Sequence, residues 1–135
     1  MRHQKKSKEK KQAERLRKLT YRNVVYCSIF EVEVAQYLDT CHLDWGRNDK
    51  RFPVKMDNRQ YYYLPDFVVH FEEGDIYIES KGIFHSQHKK RKTFLAVEQN
   101  NLNWVLIMLK EWKESKRILR EKINKVKNEI QSVIP

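Results

Sequence analysis

The sequence predicts an α/β protein with a small mixed sheet flanked by helices and a long C-terminal helix. Three observations support this class. The chain has 135 residues, the size of one domain. Its 40% hydrophobic content is enough for one core, while 34% charged residues imply a polar surface. Segments with helical spacing of apolar residues and segments with strand-like alternation follow in the order helix, two or three strands, helix, strand, helix.

The N-terminal segment, residues 1–22, is basic and almost free of large apolar side chains. It holds ten Lys and Arg against two Glu. Such a segment buries too little apolar surface to offset the entropy of ordering, so we predict a flexible or nascent-helical arm. The folded core is predicted to follow over residues 23–109.

A first helix is predicted over residues 29–42. Apolar side chains recur there at helical spacing, and Ser28 followed by Glu31 has the form of a capping box. Cys27 and Cys41 lie at opposite ends of this helix. We therefore predict free thiols rather than a disulfide, and a reducing, cytoplasmic compartment.

Strands are predicted next, around residues 51–56 and then over 61–71 and 75–81. The last two form a hairpin, in which Gly74 gives the turn its conformational freedom. A helix is predicted over residues 87–99. The sheet is expected to be at least partly antiparallel.

The C-terminal part combines a short apolar run with a long charged helix. The run NWVLIML, residues 103–109, is typical of a fully buried strand. Residues 110–135 are predicted to form an amphipathic helix. Its apolar side chains fall on a and d positions of a heptad repeat: Trp112, Leu119, Ile123, Val126, Ile130 and Val133. No run of 18 apolar residues exists, and the N-terminus lacks the apolar stretch of a signal peptide, so no membrane association is predicted.

Charge is unevenly distributed along the chain, whose net charge is +10. Residues 23–84 hold eleven Asp and Glu against six Lys and Arg, whereas both flanks are basic. Basic flanks suit a polyanion, because neutralising phosphates releases counterions. The acidic centre would repel the same polyanion unless cations lie between them. This distribution is a first indication of a metal-dependent nuclease.

The predicted hairpin places Asp66, Glu79 and Lys81 on the face away from the core, by strand alternation. With Phe71 opposite Ile76, Asp66 would lie opposite Lys81 and diagonal to Glu79. Two carboxylates so placed can bind one cation, and a neighbouring lysine can position a nucleophilic water or stabilise charge on a phosphate. On hairpin geometry alone, ordinary cross-strand ion pairing explains the same residues and is the commoner arrangement.

A wider pattern surrounds these residues. Pro65–Asp66, twelve residues, and then Glu79-Ser80-Lys81 resemble the PD-(D/E)xK nuclease motif. The stretches YLPDF and GDIYIESKG, a following basic helix and an apolar strand resemble the endonuclease I family of T-odd bacteriophages, which are four-way (Holliday) junction resolvases. The resemblance covers residues 28–109 and implies a restriction-endonuclease-like core.

The resemblance also implies a site. The family carries a metal-binding glutamate in a Ser-x-x-Glu element of its first helix, which Glu31 matches; without the resemblance, Glu31 is simply the capping partner of Ser28. Glu31, Asp66 and Glu79 are then catalytic and bind Mg²⁺, with Mn²⁺ as a substitute. Lys81 is the fourth catalytic residue and assists the water and the phosphate. The expected reaction is in-line attack by water, leaving 5′-phosphate and 3′-hydroxyl ends.

Partners follow from the same resemblance. They are branched DNA and a second copy of the chain, since a resolvase nicks two strands of one junction. The expected location is the cytoplasm, that of the host cell if the protein is phage-encoded. The heptad helix departs from the family, in which a more irregular basic tail is expected.

Clustered cations are predicted to contact DNA phosphates. They are Lys5, Lys6, Lys10 and Lys11 in the arm, and Lys89, Lys90, Arg91 and Lys92 after the motif. A solubilising tail and a solvated helix face are the respective alternatives. No base-reading pattern is recognisable, so selectivity would come from DNA shape and from the spacing of two active sites.

Two other functions fit the residues. One is a PD-(D/E)xK endonuclease that acts on linear duplex, as in restriction enzymes or TnsA-type transposase subunits. The other is a non-catalytic nucleic-acid-binding module whose hairpin is held by ion pairs.

Overall fold

The computed structural model describes residues 7–133, with side chains described for residues 7–126. The chain divides into two compact units, Met1–His42 and Leu43–Pro135. Across the described residues, four α-helices and eight strands form an α/β protein, as predicted.

The first unit begins with a helix in the segment predicted to be a flexible or nascent-helical arm. Helix α1 spans Lys8–Leu19. Ser7 caps it by accepting a hydrogen bond from the Lys10 amide at 3.3 Å. All twelve helical residues are described and none is buried, because charged and polar side chains occupy most positions. The lysine and arginine side chains of this helix are all exposed to solvent.

A short hairpin and a second helix complete the first unit. Strands β1 (Thr20–Tyr21) and β2 (Val24–Val25) pair in antiparallel fashion. Helix α2 spans Ile29–Thr40, two residues shorter than predicted. It ends before His42, whose φ of 53° is left-handed and cannot continue the helix.

The N-terminus of α2 carries the predicted capping interaction. The Ser28 hydroxyl accepts a hydrogen bond from the Glu31 amide at 3.1 Å. The Glu31 carboxylate in turn accepts one from the Cys27 amide at 3.3 Å, one residue before the cap itself. Cys27 and Cys41 are free thiols, as predicted.

The described part of the second unit contains six strands and two α-helices. Helix α3 spans Gln87–Gln99, the predicted bounds, and helix α4 spans Trp112–Val133 after a 3₁₀ turn. The strands are β3 (Trp45–Arg47), β4 (Phe52–Met56), β5 (Arg59–Tyr63), β6 (Phe67–Phe71), β7 (Gly74–Lys81) and β8 (Trp104–Met108).

Four of these strands form a mixed sheet in the order β3-β6-β7-β8. Strand β6 is antiparallel to β3 and β7, whereas β8 is parallel to β7. A parallel connection needs a long crossover, which α3 provides. The predicted mixed sheet is confirmed. Strands β4 and β5 form a separate antiparallel ribbon.

The predicted single strand over residues 61–71 is wrong. It is two strands, β5 and β6, that belong to different sheets and are separated by Leu64, Pro65 and Asp66. Proline has no N–H for a strand ladder and fixes its own φ, so an extended run with Pro65 at its centre breaks there.

The predicted hairpin register is also wrong, by two residues. Phe71 pairs with Gly74 rather than Ile76, and only Glu72 and Glu73 form the turn. Gly74 has a φ of 141°, which glycine adopts without strain. Because side chains alternate with a period of two, an even shift leaves every residue on its predicted face.

Both faces of the β6–β7 hairpin are covered, whereas the sequence predicts one face away from the core. Phe67, Val69, Ile76 and Ile78 are fully buried on the expected core face. On the opposite face, Val68 and Tyr77 pack with Phe52 of the β4–β5 ribbon, and Leu102 and Trp104 pack against this cluster. The ribbon closes a face that the sequence pattern leaves open.

The C-terminal elements pack within the same unit. Strand β8 is only half buried, with Val105 and Ile107 inside, whereas a fully buried strand is predicted. Helix α4 buries Leu119 and Ile123 and contacts β8. Among the other heptad positions, Trp112 and Val126 are partly buried, and the side chains of Ile130 and Val133 lie outside the described set. Over the range that the structure covers, no helix is both long and apolar enough to cross a membrane.

Candidate active site

Asp66 and Glu79 become neighbours where the β6–β7 ladder ends. The last paired residues are Phe67 and Ile78. One step further, Asp66 lies in the bend that leads into β6, and Glu79 continues β7 towards Lys81. Asp66 is therefore next to Glu79 at the end of the ladder, close enough for its charge to act on Glu79, rather than lying opposite Lys81 as the wrong register predicts.

Glu79 is a buried carboxylate with a partner on each oxygen. Its side chain is 4% exposed. Oε1 lies 3.1 Å from Lys81 Nζ, and Oε2 accepts a hydrogen bond from the Tyr63 hydroxyl at 3.1 Å. Burial and the negative charge of Asp66 raise the pKa of Glu79 to about 7, although Lys81 and Tyr63 act in the opposite direction. The carboxylate can thus exchange a proton near neutral pH.

Tyr63 and Trp104 support this carboxylate and were not identified from the sequence. Trp104 Nε1–H donates to the Tyr63 hydroxyl at 2.9 Å, which leaves the tyrosine proton to be donated to Glu79. Burial and the charge of Glu79 raise the pKa of Tyr63, so its hydroxyl stays protonated. The only sequence signal for Tyr63 is its place three residues before Asp66. Trp104 has none, because it lies 41 residues along the chain from Tyr63.

Ser80, the residue between Glu79 and Lys81, holds Asp66 in place. Asp66 Oδ2 accepts hydrogen bonds from the Ser80 amide at 2.8 Å and from the Ser80 hydroxyl at 3.0 Å. Ser80 is itself buried. Strand alternation directs it away from Glu79, so its role arises from the bend at Asp66, which the sequence pattern does not reveal.

A cleft of about 310 Å³ opens beside Glu79 and Lys81. Lys89 and Lys92 of α3 line it, as do Tyr62 and Tyr63 of β5. A cation-lined cleft beside Glu79 can receive a phosphate group whose reacting atom lies near this carboxylate.

The other predicted DNA-contacting residues are placed differently. Lys90 lines a neighbouring cavity. The Arg91 guanidinium pairs with Asp57 of the β4–β5 turn at 3.0 Å. Lys10 and Lys11 are exposed on α1 in the first unit, and Lys5 and Lys6 lie outside the described residues.

Glu31 belongs to the first unit, where its observed role is the capping interaction of α2. Within residues 7–126, no group of three or more His, Cys, Asp or Glu side chains is arranged to hold a metal ion. Asp66 and Glu79 nevertheless fit a hard divalent cation, since Mg²⁺ uses one or two carboxylates and completes its shell with waters and substrate phosphates.

Comparison with known proteins gives no assignment. No family model matches the chain, and no curated protein matches it. Function is therefore inferred from the chemistry of the second unit.

Proposed function

We propose that this protein is a metal-dependent endonuclease that hydrolyses phosphodiester bonds in branched DNA, including four-way junctions. The carrying observation is the pair of Asp66 and Glu79, with Lys81 in contact, beside a cleft lined by Lys89 and Lys92. The second unit, with its mixed sheet and α3 crossover, would be the restriction-endonuclease-like core that the PD-(D/E)xK resemblance implies.

Asp66 and Glu79 would hold Mg²⁺, for which Mn²⁺ can substitute. The ion, when bound, neutralises charge on the phosphate and makes water more acidic. Glu31 is proposed as a third carboxylate on the resemblance alone. We also propose a homodimer, because resolution of one junction requires two cuts.

The remaining groups position the reactants. Ser80 holds the Asp66 carboxylate, and Tyr63 holds that of Glu79. The Lys81 side chain is about one-third exposed and lines the cleft, so its ammonium can contact a phosphate while it stays paired with Glu79. Lys89 and Lys92 would fix the flanking phosphate.

A second candidate, a non-catalytic binding module, is favoured by one observation. Both oxygens of Glu79 already have partners within the fold, Lys81 and Tyr63. An ion-paired hairpin with this arrangement needs no metal. The two candidates differ in whether DNA is cut.

The decisive test compares cleavage of a synthetic four-way junction with cleavage of an equal-length duplex, with and without Mg²⁺. Wild type should cut the junction preferentially and only with the metal. Asp66→Asn should lower the rate by more than the roughly 10- to 100-fold that follows loss of an outer-shell partner. Asp75→Asn, at the turn end of the same hairpin, is the matched control and should cut normally.

Each alternative result has a distinct meaning. Equal cutting of both substrates would replace the resolvase with a duplex endonuclease. If the protein binds the junction but does not cut it with Mg²⁺, and Asp66→Asn binds equally well, the protein is a non-catalytic binding module.

A further inference from the structure

The cleft beside Glu79 is also lined by apolar side chains, which are not needed to bind or hydrolyse a phosphate group. Four of its lining residues form what we term the apolar wall: Tyr62, Leu64, Ile83 and Phe84. Tyr62 is 54% exposed, Leu64 44% and Ile83 67%. Large apolar side chains exposed singly are ordinary, but several that converge on one concave site indicate a binding surface.

The aromatic members of this wall are held in position. The Tyr62 hydroxyl accepts a hydrogen bond from Gln60 at 2.8 Å. The Phe84 ring packs against Phe94, with 6.3 Å between ring centroids, and lies 5.9 Å from Lys81 Nζ. Rings fixed in this way lose little conformational entropy when another planar group packs against them.

The cleft is also lined by Lys89 and Lys92 of α3, which we term the cationic wall. Together with Lys81 they outnumber Glu79, the one carboxylate among the described residues that line the cleft. The complementary ligand therefore carries both an anionic group and an apolar, stackable group. At about 310 Å³ the cleft lies at the lower end of ligand-pocket volumes, so it admits one nucleotide but not a base pair with two backbones.

We propose that the cleft binds a single unpaired nucleotide of the DNA substrate, with its base against the apolar wall and its phosphate at the cationic wall. This inference rests on the proposed function, because Glu79 and Lys81 beside the cleft are the groups proposed to act on the scissile phosphate. Bases are recognised by stacking on aromatic side chains only after they leave the helical stack. A DNA that offers an unpaired base to the apolar wall should therefore bind more tightly than a fully paired duplex.

The test measures binding rather than cleavage. A duplex of about 25 base pairs carrying a one-nucleotide 2-aminopurine bulge is compared with the same duplex fully paired, in EDTA at fixed salt. Wild type should bind the bulged duplex roughly tenfold more tightly, in the range expected for one base on an aromatic side chain, with quenched 2-aminopurine fluorescence.

Matched variants localise the effect. Tyr62→Ala and Ile83→Ala should remove most of the preference and the quenching. Ile118→Ala, an equally conservative truncation at an exposed position of α4, should keep both. Equal affinity of wild type for the two duplexes, or a preference that Tyr62→Ala leaves unchanged, overturns the inference.

The result is independent of hydrolysis. A Tyr62-dependent bulge preference in a protein that never cuts DNA would support the nucleotide site and refute the nuclease. Metal-dependent cutting without any bulge preference would support the nuclease and refute the nucleotide site.

Discussion

The second unit contains two sets of ion-paired side chains in which the pKa of a glutamate is shifted in opposite directions. In one, Glu79 pairs with Lys81, and the glutamate side chain is 4% exposed. In the other, Arg117 on α4 pairs with Glu114 and Glu121, whose side chains are 56% and 64% exposed. The pKa of Glu79 is raised to about 7, whereas the Arg117 guanidinium lowers the pKa of Glu114.

Loss of water explains this difference. Glu114 remains hydrated, so the hydrogen bonds and charge of Arg117 determine the direction of its shift. Glu79 has lost most of its hydration, and the nearby Asp66 charge adds to that cost, so Lys81 and Tyr63 offset only part of it. An ion pair therefore does not by itself keep a carboxylate charged. A carboxylate destabilised in this way is suited to a site that a cation would complete.

The largest expected effect is the pH-dependent contribution of Glu79 to the free energy of unfolding. Its pKa is about 7 in the folded chain and near the ordinary value of 4.5 when unfolded. The folded state thus binds the proton more tightly, and this contribution is complete below about pH 4.5 and lost as the pH rises through about 7. It amounts to about 3 kcal/mol in the free energy of unfolding. Glu79→Gln should lack it.

Urea unfolding of the metal-free protein at several pH values between about 4.5 and 8 measures this term. The stability of Glu79→Gln relative to wild type should increase as the pH rises, and Glu121→Gln should follow wild type throughout. Parallel curves for wild type and Glu79→Gln would mean that burial does not perturb this carboxylate.

An intermediate effect is expected when Tyr63 is changed to Phe. The substitution removes the donor to Glu79 Oε2 and the acceptor of Trp104 Nε1–H. The free energy of unfolding should fall by about 1–3 kcal/mol, the range for a buried polar group left without a partner. The pKa of Glu79 should rise further, because the Tyr63 hydrogen bond lowers it.

Two measurements test this variant. Chemical denaturation gives the stability loss, and the pH profile of DNA cleavage should move to higher pH. Tyr62→Phe is the matched control, since its exposed hydroxyl bonds only the neighbouring Gln60 among the described side chains. If both variants keep the wild-type pH profile, Tyr63 fills space without tuning Glu79.

The smallest effect is expected for the exposed ion pairs of α4. Glu114→Gln should leave the unfolding temperature unchanged within error, because exposed pairs gain little Coulomb energy and lose side-chain entropy. Thermal unfolding at low and high salt is the measurement. A clear loss of stability at low salt that disappears at high salt would show that the α4 pairs contribute more than exposure predicts.

Much of the fold follows from local signals. The bounds of α3 and the start of α2 were predicted correctly, because helical spacing and the Ser28 cap act within a few residues. The assignment of Glu79 and Lys81 to one face of β7 also holds, because alternation survives a two-residue error in register, whereas Asp66 lies in a bend outside the ladder. Pro65 indicates a strand break, but the strand-like residues on both sides of it favour one continuous strand.

The site is less predictable than the fold. The spacing of Asp66, Glu79 and Lys81 predicts them as site residues, but it does not predict their surroundings. Trp104 reaches Tyr63 from 41 residues away, and Tyr63 reaches Glu79 from 16. Phe52 of the β4–β5 ribbon packs on the face that carries Glu79. None of these contacts leaves a pattern within a short window of sequence.

By itself, the sequence determined the bounds of α3 and the start of α2, which face of β7 carries the acid and the lysine, and the uneven charge along the chain. Only the tertiary structure decided that the acid is buried, that Asp66 is held by Ser80, and that the neighbouring cleft has one apolar and one cationic wall. The physical reason is the separation along the chain between the residues that interact. Caps and alternation depend on neighbours along the chain, whereas desolvation of a carboxylate depends on everything that packs over it, from wherever in the chain it comes.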